Sequence, residues 1–166
     1  MPHSLDVETR SSASVDQIHA AFGREEYWPA RLAGDAVTTL DSLLVDADGT
    51  VAMRATQQLG RQSLPGPIAA VVRGGLELVH SETWRSAGNG HLRGEITISA
   101  AGGLGSSRAK NLLAPSADGS RMRSAVKVQV KIPLVGGRLE KFIGSGVADS
   151  VPAVVRFTTT WIAENT

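Results

Sequence analysis

The sequence predicts an α+β protein in which a curved antiparallel sheet of about seven strands wraps around one long C-terminal helix. Three observations support this fold class. Apolar and polar residues alternate with a period of two in several segments, which is typical of half-buried strands. Asp-Gly and Asn-Gly pairs stand between these segments and favour hairpin turns. After Pro133 the apolar period becomes three to four residues, which indicates a helix.

The N-terminal part predicts a strand and then a short helix. Residues 5–10 alternate between inward Leu, Val or Thr and charged side chains, so they form the first predicted strand. Ser14 is the predicted N-cap of a helix over 15–22, because Gln17 stands at the capping-box position and Gly23 follows the helix.

A second short helix is predicted over 25–32. It contains Tyr27 and Trp28, which are expected to close one end of the core. Pro29 suits the first turn of this helix better than its middle, because proline lacks a backbone N–H.

Six further strands are predicted, at 36–45, 51–59, 76–84, 92–99, 108–113 and 121–132. The Asp48-Gly49 pair predicts a hairpin between the first two of them. The last strand has a basic outer face, expected to be solvated, made of Arg121, Arg123, Lys127 and Lys131. Two connections, 64–72 and 102–105, are apolar and glycine-rich respectively; they would be candidate gates in a protein with an internal cavity and are otherwise ordinary loops.

The C-terminal helix is predicted over 138–161, with a length of roughly 36 Å at 1.5 Å per residue. Pro152 lies inside it and is expected to kink or split it, at a cost of ~3 kcal/mol for a mid-helix proline.

The composition predicts one globular domain over residues 1–166. Apolar residues make up 42% and charged residues 20% of the chain, which excludes intrinsic disorder, a collagen-like repeat and a membrane-spanning protein. A net charge of +1 leaves no electrostatic footprint for nucleic acid. We therefore expect no nucleic-acid partner and no integral membrane association, and, without an apolar signal-peptide core, a cytoplasmic location.

The residue types needed for metal or cofactor chemistry are missing or wrongly spaced. The chain has no cysteine, which removes disulfides, thiolate metal sites and thiol nucleophiles. Its four histidines lack metal-ligand spacing, its glycine runs lack the phosphate-binding spacing, and it has no Gly-x-Ser-x-Gly motif. We therefore expect neither a metal nor a cofactor.

Four strings carry a family resemblance: EEYWPARL from Glu25, SETW from Ser81, IPLVGGRLE from Ile132 and FTTTWI from Phe157. They resemble an uncharacterised actinobacterial domain family within the START-like, or SRPBCC, helix-grip superfamily, and the predicted element order is similar to that fold along the whole chain. The resemblance implies a cavity for an apolar ligand between sheet and long helix. Some members of the superfamily catalyse cyclisation or dehydration there, but the narrower family has no established activity to carry over.

The strand over 76–84 holds the candidate polar site. Leu76, Leu78, His80, Glu82 and Trp84 share one face, which is expected to point inward because it is mostly apolar. Buried ionisable groups need partners, so His80 and Glu82 pair with each other, or Glu82 bonds an arginine or Tyr27 across the core. They are also the candidates for ligand contact and for acid–base catalysis.

The predicted ligand-binding residues share an inward position on a strand or on the C-terminal helix: Met53, Gln57, Leu78, His80, Glu82, Trp84, Val126, Val128, Leu139, Phe142, Ile143 and Val147. Plain core packing is the simpler interpretation of the helix stripe, and a bond to a neighbouring strand is the simpler role of Gln57. Three functions remain open. They are binding of a hydrophobic small molecule or lipid, a cyclase- or dehydratase-type enzyme using His80 and Glu82 in the same cavity, and an interaction module without a cavity.

Overall fold

The computed structural model describes residues 2–33 and 37–166. Its seven strands are β1 (His3–Ser11), β2 (Val37–Val45), β3 (Val51–Leu59), β4 (Leu76–Ser86), β5 (Leu92–Ala100), β6 (Gly105–Ser116) and β7 (Gly119–Val130). Its α-helices are α1 (Val15–Phe22), α2 (Tyr27–Arg31), α3 (Gly66–Ala69) and α4 (Gly136–Glu164), with short 3₁₀ turns at Arg61–Ser63 and Ala101–Gly103. The predicted α+β fold class, with two short helices after the first strand, is confirmed.

All strands form one antiparallel sheet in the order β1-β7-β6-β5-β4-β3-β2. The long helix α4 packs across β1 and β7 on one face of this sheet. Period-two alternation decides which side chains face it: on β7, Met122, Val126 and Val128 are buried, whereas Arg123 and Lys127 are exposed. The functional question is therefore what fills the space between the inner face of the sheet and α4.

The local turn and cap predictions are confirmed. The Ser14 hydroxyl accepts a hydrogen bond from the Gln17 amide at 3.1 Å, and the Gln17 side chain accepts one from the Ser14 amide at 2.8 Å, so the capping box is complete. In the β2–β3 turn, the Gly49 amide donates to the Asp46 carbonyl at 2.9 Å, and Gly49 has a φ of 87°.

Several predicted boundaries differ from the structure. The helix predicted over 25–32 is shorter, and the strand predicted over 108–113 is twice as long, in part because Ser106 and Ser107 pair with both neighbouring strands and Gly105 pairs with β7, although these residues lack an alternating pattern. The strand predicted to end at 132 ends at Val130, so Lys131 lies beyond it rather than on its outer face. The strand predicted from residue 36 begins at Val37 in the described residues, and residue 36 lies outside them.

Helix α4 is longer than predicted and is not split at Pro152. Its 29 residues span about 44 Å at 1.5 Å per residue. Proline removes one backbone hydrogen bond from a helix. Buried side chains such as Leu139 on one side of Pro152 and Val155 and Trp161 on the other hold both halves against the rest of the protein. Burial of this face offsets the local cost, and the helix continues.

Candidate functional site

One end of the space beneath α4 is filled by aromatic side chains. Tyr27 and Trp28 of α2 are completely buried. Phe22 packs on the Trp84 ring with centroids 4.7 Å apart, and Tyr27 meets Trp161 of α4 edge to face at 5.3 Å. The polar atoms of these rings are satisfied, since Trp28 Nε1 donates to the Phe22 carbonyl at 2.8 Å and Tyr27 Oη bonds Thr158 Oγ1 at 2.6 Å. This region, called the packed end below, has α1, α2 and the C-terminal half of α4 as its walls.

A buried ionic cluster lies in the packed end. Arg31 Nη1 donates to Glu82 Oε1 at 3.0 Å and Arg31 Nη2 lies 2.7 Å from Glu82 Oε2, so the guanidinium holds the carboxylate through one hydrogen bond and one ion-pair contact. Trp84 Nε1 donates to Oε1 at 2.9 Å, and His80 Nε2 lies 2.7 Å from Oε2. The Arg31 guanidinium also stacks over the Trp28 ring at 5.0 Å. Each carboxylate oxygen therefore has two polar partners.

The Glu82 carboxylate remains ionised in this buried position. Burial acts to raise the pKa of Glu82, but the positive charge of Arg31 and the hydrogen bond from His80 outweigh it and lower the pKa to about 2. Burial likewise acts to lower the pKa of Arg31, and the neighbouring carboxylate outweighs it and raises that pKa. The cluster is thus a charged pair at neutral pH.

The ionised carboxylate fixes the tautomer of His80. A carboxylate only accepts hydrogen bonds, so the hydrogen must lie on His80 Nε2. In the neutral ring the other nitrogen, Nδ1, is then a hydrogen-bond acceptor. Among the described residues, the one side-chain hydrogen bond of His80 is that of Nε2 to Glu82, and Nδ1 has none. His80 is 7% exposed and is therefore a buried ring that Glu82 orients.

The other end of the same space is an apolar cavity of about 280 Å³. Its walls are the inner faces of four strands and the N-terminal half of α4. They bring together aliphatic and small side chains: Leu76, Leu78, Ile98, Ala100, Ser107, Val128, Val130, Leu139, Ile143 and Val147. None of the lining residues carries a charged side chain. This region is called the cavity end below.

Short connecting segments cover the cavity. Ile68, Val71 and Val72, in and after α3, line it from the β3–β4 connection, Leu104 lines it from the β5–β6 connection, and Ile132 from the β7–α4 connection. The two connections predicted as candidate gates, 64–72 and 102–105, both contribute to this lining. Their opening and closing remains a prediction.

The predicted ligand-binding residues fall into two groups in space. Five of them line the cavity, namely Leu78, Val128, Leu139, Ile143 and Val147. Met53, Glu82 and Trp84 are buried in the packed end, with Met53 opposite Glu82 across β3 and β4. Their role in ligand binding remains a prediction.

The four remaining predicted residues lie at the margins of these groups. His80 lies between Leu78 and Glu82 on β4, and Val126 is buried next to Val128 on β7. Gln57 is half-buried on β3, opposite Leu78. Phe142 is 41% exposed, because it lies on the side of α4 turned away from the sheet.

Sequence reasoning did not single out Arg31 or the β5 residues Ile98 and Ala100 as parts of the site. Arg31 is separated from Glu82 by 51 residues, and its only sequence signal was the need of a buried carboxylate for a cationic partner. Ile98 and Ala100 line the cavity from β5, and their shared parity with the buried Leu92 was a signal that they face inward. Tyr27, one suggested partner of Glu82, bonds Thr158 instead.

Residues 2–33 and 37–166 contain neither a metal-binding cluster nor a membrane-spanning helix. No group of three or more His, Asp or Glu side chains there is arranged to hold a metal ion. None of the helices in that part of the chain has the length and apolar character needed to cross a membrane.

This sheet, with a long C-terminal helix across one face, defines the protein as a START-like helix-grip fold. The crystal structure of TTHA0849 from Thermus thermophilus matches it with a TM-score of 0.63 at 13% identity, over 99% of this chain and 100% of that one. A START superfamily protein from Mycobacterium smegmatis matches with a TM-score of 0.52 at 12% identity, over 99% of each chain. The predicted helix-grip fold is confirmed.

The chain belongs to the family described as "protein of unknown function (DUF2505)", which matches residues 6–162. The uncharacterized protein Rv0481c of Mycobacterium tuberculosis is 35% identical over 175 residues, covering 99% of each chain. The resemblance to an uncharacterised actinobacterial family is therefore confirmed.

Proposed function

We propose that the protein binds an uncharged, mainly apolar small molecule in the cavity end. The observation that carries the proposal is a cavity of about 280 Å³ whose lining has no charged side chain. Small-molecule sites are typically concave and mostly apolar, with a few polar groups that orient the ligand. Removing apolar ligand surface from water contributes roughly 25 cal/mol per Å². A ligand with a charged group inside the cavity would lose its hydration without a partner.

His80 is the group that we assign to ligand orientation. His80 is not one of the lining residues but borders them, because Leu78 on the same face of β4 and the cross-strand partner Ile98 both line the cavity. Because Nε2–H donates to Glu82, the free Nδ1 can accept one hydrogen bond. The matching ligand group is a hydroxyl or N–H donor on an otherwise apolar molecule. Glu82 itself is fully engaged by Arg31, Trp84 and His80, so its role is to position the imidazole.

Proton-transfer catalysis in the same cavity is the second candidate function. One observation favours it: an imidazole oriented by a buried carboxylate is the usual arrangement of a general base. In that case Nδ1 of His80 would take the proton, and the carboxylate, with a pKa of about 2, would stay ionised throughout.

The binding proposal is tested with the neutral fluorescent probe N-phenyl-1-naphthylamine. We expect the wild-type protein to bind it, and Ala100→Phe, which fills the cavity, to weaken binding by about tenfold or more, as expected when a ligand ring is displaced. Ala125→Phe is the matched control, because Ala125 is exposed on the opposite face of the sheet. Equal affinities of the two variants would contradict binding in this cavity.

The two candidate functions are separated by mass spectrometry of organic extracts. Wild-type protein and His80→Gln are purified from the same host and their bound apolar molecules compared. A binding protein yields the same masses from both, in smaller amount from the variant. An enzyme yields an unreacted substrate in the variant with a mass absent from the wild type.

A further inference from the structure

The large apolar side chains exposed on the described residues fall into two groups. Three of them lie on the edge strand β2. The other three, Val71, Leu134 and Phe142, belong to segments that line the cavity: Val71 is part of the lining, Leu134 follows Ile132 by two residues, and Phe142 precedes Ile143. The exposed apolar side chains of this second group therefore belong to segments that also line the cavity.

Leu134 is the most exposed of these apolar side chains. Its relative exposure of 103% means that the side chain makes no protective contact with the rest of the protein. Its φ of 72° lies in the left-handed region, which a leucine adopts at a cost. A leucine held outward in a strained turn, next to the apolar Ile132 and Val135, is an unfavourable feature for a side chain that meets only water.

The same segments carry far more positive than negative side chains. We define the mouth rim as residues 60–75, 101–107 and 131–143. It contains five cationic side chains, Arg61, Arg73, Lys131, Arg138 and Lys141, and one acidic one, Glu140, for a net charge of +4, whereas the whole chain carries +1.

The five cations face solvent and the single acid does not. All five are exposed, and none is in an ion pair within the part of the chain that the structure describes. Glu140 is 4% exposed and accepts a hydrogen bond from the Val130 amide at 2.8 Å. The outward field of the mouth rim is therefore positive, although the overall composition is nearly neutral.

We propose that the mouth rim docks on the surface of an anionic lipid bilayer, with Leu134 inserted among the acyl chains and the five cations at the level of the phosphates. Exposed apolar side chains and exposed basic side chains in the same segments match the apolar and anionic layers of a bilayer interface. A second copy of the chain is a poorer occupant, because its five cations would face the same five. The proposal goes beyond ligand binding, since docking requires the rim and not an occupied cavity.

Vesicle co-sedimentation at low ionic strength tests the proposal. The probes are vesicles of phosphatidylcholine, with and without phosphatidylglycerol at about one third of the lipid. We expect binding that requires phosphatidylglycerol and weakens with added salt. Leu134→Asn, whose new side chain tolerates the left-handed turn, is expected to weaken vesicle binding about tenfold. The matched control is Leu44→Asn, because Leu44 is 63% exposed on β2, outside the mouth rim.

The four lysines of the chain provide a second matched pair. Lys131→Gln/Lys141→Gln removes two rim charges and is expected to weaken binding about 30-fold. Lys110→Gln/Lys127→Gln removes two exposed charges from the outer face of the sheet and is expected to change binding about twofold or less, because those side chains are not at the membrane.

Three results would overturn the proposal. They are equal binding to vesicles without phosphatidylglycerol, equal losses in the two lysine pairs, and a Leu134-dependent dimer detected by light scattering. The neutral probe keeps this test separate from the proposed function. Leu134→Asn is expected to bind N-phenyl-1-naphthylamine in solution with unchanged affinity while losing vesicle binding. If the wild-type protein binds the vesicles but not the probe, the proposed ligand binding is contradicted and the membrane-docking proposal is not.

Discussion

The inner face of β4 crosses two regions that fill the space beneath α4 in different ways. At Glu82 and Trp84 it enters the packed end, where aromatic rings and a buried ionic cluster leave every polar atom of the carboxylate bonded. At Leu76 and Leu78 it enters the cavity end, where aliphatic side chains surround about 280 Å³ of space. His80 lies between the two on the same strand.

The comparison of the packed end with the cavity end shows how one small fold combines stability with an internal cavity. The packed end concentrates large rings and charge-assisted hydrogen bonds, which contribute most per residue to stability. The cavity end is covered by the four-residue helix α3 and two short connections, which have few partners. Its side chains therefore leave space that packing does not fill.

The largest effect is expected from breaking the ionic cluster. Arg31→Met leaves the Glu82 carboxylate buried without its cation, and the loss of a partner from a buried pair costs about 3–5 kcal/mol. We expect this reduction in the free energy of unfolding in urea at neutral pH.

The control for this variant is Arg85→Met, at an exposed position at the end of the same strand as Glu82, with an expected change within about 0.5 kcal/mol. In the double variant Arg31→Met/Glu82→Gln the loss is expected to be smaller than the sum of the single losses, because no unpaired charge remains. If Arg31→Met lowers the free energy of unfolding no more than the control does, the ion pair of Arg31 and Glu82 does not stabilise the packed end.

The second largest expected effect is a loss of stability at acid pH. The pKa of Glu82 is about 2 in the folded protein against 4.5 as its ordinary value, so its contribution is complete above pH 4.5 and is lost as the pH falls towards 2. The difference corresponds to about 3 kcal/mol. Glu82→Gln lacks this contribution, so the stability gap between wild type and variant is expected to close between these pH values. The gap for Glu77→Gln, on the exposed face of β4, is expected to stay small and constant.

The sequence predicted those parts of the fold whose cause is local. The capping box of Ser14 and Gln17 and the alternation along β7 each depend on neighbours within a few residues, and both were found as expected. The start of β6 was not predictable, because Gly105–Ser107 have no pattern of their own and are held in the sheet by β5 and β7. The continuation of α4 through Pro152 was likewise not predictable, because it depends on the burial of side chains from both halves of the helix against the rest of the protein.

The candidate site likewise has one part that follows from local sequence and another that depends on the tertiary structure. The shared face and mutual bond of His80 and Glu82 follow from their spacing of two on a strand. The choice of Arg31 as partner does not, because it requires the position of α2 over β4. Apolar residues in the β3–β4 connection indicated that Ile68, Val71 and Val72 are a covering segment, but whether they cover core or cavity depends on the volume that the other side chains leave empty.

The smallest expected effect compares two positions on the inner face of β5. Gly94 lies opposite Trp84, and a Cβ at this position would overlap the indole ring, which Phe22 and Glu82 hold in place. Gly94→Ala is therefore expected to lower the free energy of unfolding by about 1–3 kcal/mol, the usual cost of overpacking. Ala100, six residues along the same strand, lines the cavity, so Ala100→Val adds two methyl groups where space exists and is expected to change stability by less than about 0.5 kcal/mol. Urea unfolding of both variants measures the contrast. If valine at position 100 costs as much as alanine at position 94, the two ends are packed equally tightly, and the cavity is too rigid to admit a ligand without rearrangement of its walls.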